Sequence, residues 1–162
     1  IRLIDMGIEP FLLSSTINVI VAQRLVRVLC ECKKQYSASA SSLMELHKEL
    51  DPLNGINIYT KDSNGSNKQL KVHFDISTQQ VNLFHPVGCS KCNDSGYISR
   101  IGIFEALKNS DQIANLVMKR SSINEIHNQS VKEGMMTMIQ DGFIKALEGI
   151  TTVEEVLRVR NE

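Results

Sequence analysis

The chain has 162 residues, 42% apolar and 22% charged, with 18 basic and 18 acidic side chains and a formal charge of zero. This is enough chain for one globular core or two small ones, and the composition excludes a disordered or fibrous protein. Balanced charge and 5% aromatics without tryptophan give no support to nucleic-acid binding, which needs a basic face and stacking platforms.

Ile1 to Met6 reads as a short helical or strand remnant stopped at Gly7, with the look of a piece cut from something longer. Pro10 suits the first turn of a new helix. From Phe11 the apolar residues Leu12, Leu13, Ile17, Val19, Ile20, Val21, Leu25, Val26, Val28 and Leu29 fall mostly three and four apart. That spacing predicts a helix with a broad buried stripe. Arg24 and Arg27 would then share one face, as solvated or carboxylate-paired charges, or as contacts to phosphate or a neighbouring subunit. The stretch carries too many polar residues to span a membrane, and it lacks the basic start and cleavage site of a signal peptide.

Cys30-Glu31-Cys32 ends that segment, and Cys89-Ser90-Lys91-Cys92 stands far downstream; these are the only cysteines. Two close pairs from distant parts of a chain are the pattern of a tetrahedral thiolate site in which both pairs share one ion. The expectation is a structural Zn2+ held by Cys30, Cys32, Cys89 and Cys92, closed by sulfur and without a catalytic role. The other reading is four buried, unliganded thiols. Cys-x-Cys is one residue shorter than the usual knuckle, which makes it harder for both sulfurs to reach one ion. His85 is the substitute donor if only one does. So few cysteines at this length favour a reducing, cytoplasmic compartment over a secreted disulfide framework.

Between the pairs, Tyr36 to Ser42 reads as a loop, and Ser42 with Glu45 as a capping box opening a helix over Leu43–Leu50 that ends at Asp51-Pro52. Ile56 to Tyr59 predicts a strand, Asn64-Gly65 a hairpin turn, Leu70, Val72, Phe74 and Ile76 an alternating strand, and Val81 to Phe84 another. After Glu105 the pattern is helical. Ser110 caps Asp111–Lys119. Ser122 with Glu125 opens a helix ending at Gly134. Met135–Leu147 forms a helix ending at Gly149, and Thr152 with Glu155 opens Val153–Val159. The methionines within Met118 to Met138 are expected in the core, and Asp141 and Glu154 as solvated helix residues.

Several stretches together resemble the type II secretion and type IV pilus assembly ATPase family. Arg2-Leu3-Ile4-Asp5-Met6-Gly7-Ile8-Glu9-Pro10-Phe11-Leu12-Leu13, running into Ala22-Gln23-Arg24-Leu25-Val26-Arg27, is similar to its late ATPase core. Cys89 to Glu105 resembles its second zinc knuckle and the Gly-Tyr-x-Gly-Arg-x-Gly-Ile strand that follows. Met136-Thr137-Met138, Asp141-Gly142, Lys145 and Gly149-Ile150-Thr151-Thr152-Val153-Glu154-Glu155-Val156 resemble its C-terminal helical signature. The likeness spans the chain in order, apart from an insert-like stretch of about Leu43 to Asn82. Two positions depart from the family: its first knuckle is usually Cys-x-x-Cys, and the Gly before the arginine is Ser99 here, which would stiffen or shift a turn before Arg100.

The resemblance implies an α+β fold: the end of a RecA-like ATPase core at 1–29, a tetracysteine zinc module at 30–105 with an insert at 43–82, and a C-terminal helical bundle at 106–162. It implies a hexameric motor that hydrolyses ATP with Mg2+ to drive protein transport through an inner-membrane platform. Such a motor is cytoplasmic and peripheral to that membrane, without nucleic acid or membrane insertion. No Gly-x-x-x-x-Gly-Lys-[Ser/Thr] loop occurs in the chain, so no catalytic residue is expected in it, and the loop would lie upstream. Arg100 would lie near the nucleotide, on the adenine side, with Gln23 and Arg24, facing the core side, as weaker candidates; the plainer reading of Arg100 is a strand arginine paired with a carboxylate such as Glu105. The rival function is a free-standing zinc-stabilised adaptor that binds a protein partner without nucleotide.

Overall fold

The computed structural model describes residues 2–50, 57–61, 67–71 and 81–160. They form a mixed helix-and-strand protein in two compact units, Ile1–Leu25 with Gly102–Asp141, and Val26–Ile101 with Gly142–Glu162. No helix among the described residues is long and apolar enough to cross a membrane.

In the first unit, α1 (Arg2–Asp5) turns at Gly7 into α2 (Pro10–Thr16), which has proline in its first turn as expected. Asn109 stops α2: its amide donates to the carbonyls of Ser14 and Ile17 at 2.9 and 2.7 Å. Ser110 then caps α4 (Asp111–Met118), and Ser122 and Glu125 form the expected reciprocal box at the start of α5 (Ile123–Lys132). Pro10, Ile103, Ile113 and Met135 are the buried apolar residues among those described here.

In the second unit, β2 (Lys34–Ser37) pairs antiparallel with β5 (Asn82–His85), from Lys34↔His85 to Ser37↔Asn82. α3 (Ala40–Leu50) buries Leu46 and Leu50. β3 (Asn57–Lys61) and β4 (Asn67–Lys71) form a second antiparallel pair, from Asn57↔Lys71 to Lys61↔Asn67. α7 (Val153–Arg160) buries Val153, Val156 and Val159, and the C-terminal part of α6 (Met138–Leu147) buries Phe143, Ile144 and Ala146.

The largest correction concerns the stretch predicted as one long helix. Only Pro10–Thr16 is helical; Val19–Leu29 is a strand, β1, paired with β6 (Tyr97–Lys108). Val19, Ile20, Val21, Val26 and Val28 are β-branched, and such side chains lose χ1 freedom in a helix but fit a pleated strand. Arg24 and Arg27 therefore point to opposite faces. Tyr36 lies in β2, not a loop, and α3 begins at Ala40, which puts Ser42 inside the helix. The strand after the second knuckle runs to Lys108, with Ser99 in regular extended backbone and no turn before Arg100. α6 opens at Thr137 instead of Met135, because Thr137 and Gln140 cap each other through backbone N–H groups at 3.3 and 2.8 Å. Met135 is core, but Met118 is half exposed. Asp141 is half-buried, and its carboxylate also accepts the Phe104 N–H at 2.8 Å. Asp51-Pro52, Ile56, the Asn64-Gly65 turn and Val72 to Ile76 lie outside the described residues.

Candidate metal centre

The centre lies within the second unit and is built from two arms. The first is the end of β1. The Cys30 N–H bonds to the Gly96 carbonyl at 2.8 Å, and the Lys33 N–H closes a tight turn onto the Cys30 carbonyl at 3.0 Å. That turn carries Cys32 round to the side of Cys30. In the second arm Cys89 is extended and Ser90–Cys92 forms a single 3-10 turn. The Cys89 carbonyl accepts the N–H groups of Cys92 and Asp94 at 3.1 and 3.0 Å. Asn93 and Asp94 are both left-handed, at φ 48° and 57°, where short polar side chains are tolerated.

Glycine is required on both sides of this turn. Gly96 has φ 75°, and a Cβ there would come within 2.3 Å of Pro86; at Gly88, φ 105°, a Cβ would meet the Asp94 carbonyl at 2.7 Å. A side chain at either position would push the knuckle apart.

The four sulfurs lie within 4.8 Å of one another. Cys30–Cys89 is 3.8 Å, Cys32–Cys92 3.9 Å and Cys89–Cys92 3.7 Å. Sulfurs at the corners of a tetrahedron, each ~2.3 Å from a central ion, are about 3.8 Å apart. The spacing is too long for a disulfide, whose sulfurs sit at about 2.05 Å, and all four cysteines are free. The donor set could therefore hold one metal ion, and the short Cys-x-Cys arm brings both its sulfurs in. His85 is not in the cluster; its ring lies 5.6 Å from that of Tyr36.

The electrostatics around the cysteines are uneven. Burial pushes the Cys92 thiol up, but N–H groups of Cys89 and Gly96, 3.2 and 3.3 Å from its sulfur, outweigh that and bring it down to about 7. Burial pushes Cys32 up to about 11, against one backbone N–H from Gly88 and with the other three sulfurs adding to the rise. A cation among them would favour thiolate at every corner, since the thiolate is the ligand. Outside, Lys91 and Glu31 join the arms in an exposed ion pair at 3.1 Å.

Sequence reasoning missed the group that anchors the first arm. The Leu29 N–H bonds to the Ile150 carbonyl at 2.8 Å, and the Thr151 hydroxyl donates to the Arg27 carbonyl at 2.8 Å. Glu155, read only as part of a cap, is buried; Thr152 does cap its N–H at 3.2 Å. Its carboxylate accepts from the Arg27 backbone and guanidinium and from two Arg158 nitrogens, the latter both at 3.1 Å. Arg27 also stacks 4.1 Å over the Tyr97 ring. Burial pushes the Glu155 carboxyl up, but these donors outweigh it and hold it at about 2. No local signal could have revealed a partner so distant in sequence.

The three nucleotide candidates are not gathered in one unit. Gln23 is exposed and Arg24 half-buried on β1 in the first unit, and Arg100 is exposed on β6 in the second. Glu105, the carboxylate offered to Arg100, accepts the Met138 N–H at 3.2 Å.

A sequence model of the family described as "Type II/IV secretion system protein" matches residues 1–158. The chain is 35% identical over 162 residues to the type IV pilus assembly ATPase PilB of Pseudomonas aeruginosa, covering 99% of this chain and 24% of the relative. It is 38% identical to the type II secretion system protein E of the same organism, covering 99% and 27%. The type II secretion system ATPase E of Vibrio cholerae is 33% identical, with 99% and 27% covered. The chain thus spans about a quarter of the length of these relatives.

Proposed function

The chain belongs to the type II/IV secretion system protein family, and on that premise we propose that it is the C-terminal portion of a hexameric ATPase powering type II secretion or type IV pilus assembly. Residues 1–29 would end a RecA-like core, 30–105 form the zinc module and 106–162 the helical part. ATP and Mg2+ would be bound with a phosphate loop carried elsewhere in the longer protein. Arg100 is offered to the nucleotide, its guanidinium exposed and without an ion pair among the described residues; Gln23 and Arg24 are weaker contacts. The motor would work on the cytoplasmic side of an inner-membrane platform. Family membership leaves the free-standing adaptor without support.

The observation that carries the metal part of this proposal is the four-sulfur cluster, with three of its six edges at the spacing of a tetrahedron and all within 4.8 Å. Cys30, Cys32, Cys89 and Cys92 would hold Zn2+, which supplies a cross-link and no chemistry, because sulfur fills every position. The residues themselves set the arms: the N–H groups of Cys89 and Gly96 hold Cys92, and Cys30 is fixed by its bond to Gly96.

The test is metal content and ATP turnover on the purified chain, with a melt before and after a strong chelator. One zinc per chain, a melt that collapses on chelation and no ATP turnover are expected. Absence of metal would overturn the zinc module, and turnover by the chain alone would overturn the assignment of catalysis elsewhere.

A further inference from the structure

We propose that the first unit carries a docking pocket for a polypeptide partner that presents a leucine- or phenylalanine-sized side chain beside a carboxylate, with Arg120 receiving the carboxylate. The pocket is a cavity of about 140 Å³ whose walls include Leu3, Ile4, Leu13, Ile113, Val117 and Arg120. An apolar cavity of about 150 Å³ is enough to take a benzene-sized group. Pockets for cofactors and drug-sized molecules run from about 300 Å³ upward. The size therefore fits one apolar side chain, the kind of anchor by which protein partners seat themselves.

Arg120 supplies the charge, and its backbone indicates that it is not there for the fold. At the end of α4 the Ser121 N–H reaches the Leu116 carbonyl and the Arg120 N–H reaches the Val117 carbonyl, both at 3.0 Å. This is the paired-bond helix stop whose left-handed position favours glycine. The chain closes α1, α5 and α6 with the same pair of bonds and puts Gly7, Gly134 and Gly149 at that position, at φ 87°, 92° and 70°. At α4 alone it uses arginine, at φ 55°. A local rule broken at one of four equivalent places, beside a cavity, points to a use for the side chain. Arg120 is exposed and its guanidinium has no ion pair among the described residues. A cation at the edge of an apolar slot selects an anion next to an apolar group.

The test is selection from a random-peptide library against the full chain, followed by titration of the enriched peptides against Arg120→Gly. That variant is expected to fold and to melt about 2–4 °C higher, because glycine relieves the left-handed strain. Enriched peptides should share an acidic residue next to leucine or phenylalanine. They should bind Arg120→Gly about tenfold more weakly. Replacing their acidic residue with its amide should cost the same factor on the wild type and nothing further on the variant. Peptides without an acidic residue, binding indifferent to Arg120→Gly, or a variant that melts lower would each overturn the proposal. So would a pocket that takes free benzoate but selects no acidic peptide, since that is a small-molecule site.

Discussion

The two units are held together in opposite ways. The second buries Val26, Leu29, Leu83, Phe143, Ile144, Val156 and more, and sets two polar centres among them: the four sulfurs and the Glu155 carboxylate. The first buries Ile103, Ile113 and Met135, while Phe11, Val19, Val21, Leu25 and Phe104 remain about half exposed. Its order comes largely from caps at helix ends and from the Asn109 amide. A few specific groups carry much of the second unit's cohesion, whereas many small terms carry the first's. Single substitutions should therefore be severe in one and mild in the other.

The largest effect should come from the sulfur cluster. Cys92→Ser removes the corner that is buried and held by two N–H donors. Metal binding is folding free energy in a small module. With the proposed ion held by the cluster, the variant should lose it and lower the melting temperature of the second unit by on the order of tens of degrees. Near-ultraviolet circular dichroism and hydrogen exchange would follow it, with amides of the first unit much less affected. Retention of a native melt by Cys92→Ser would show that the apolar core alone holds the second unit, and the contrast would fail.

Glu155 should come next. Its carboxyl sits at about 2 in the folded chain, below its ordinary value near 4.5. A carboxyl depressed by folding adds stability that is complete above about pH 5 and is lost as pH falls towards 2. The shift corresponds to about 2–3 kcal/mol once the partial exposure of both arginines is allowed for. Glu155→Gln should lose about that much at pH 7 and show a flatter acid melt than the wild type. An acid limb of equal steepness in both proteins would remove Glu155 from the centre of the second unit.

What the sequence made legible follows the range of the interactions. Ser110, the Ser122–Glu125 box, Gly134 and Gly149 act within one helical turn, and the structure has each where the sequence pattern placed it. The cysteines announce themselves because paired thiols have few other uses. β1 was misread because Val19, Val21 and Leu25 stay exposed. A strand with uncovered apolar side chains shows no in–out alternation, and chance spacings of three and four then imitate a helix. The link from Arg27 to Glu155 spans most of the chain, so only folding brings it into view.

The smallest of the three effects, and the one that sharpens the contrast, belongs to the first unit. Ser122 accepts the Glu125 N–H at 3.3 Å, and the Glu125 carboxylate accepts the Ser122 N–H at 2.8 Å, all exposed to solvent. Ser122→Ala removes half of this exchange and should cost about 1 kcal/mol, the ordinary value of a cap. Hydrogen exchange should rise in the first turn of α5 and stay unchanged around Cys30 and Gly96. Here water can replace the lost partner, whereas the Glu155 carboxylate is itself buried and its two arginines are only about half exposed. A loss as large as that of Glu155→Gln would mean that the first unit also depends on single groups, and that exposure does not separate the two kinds of cohesion.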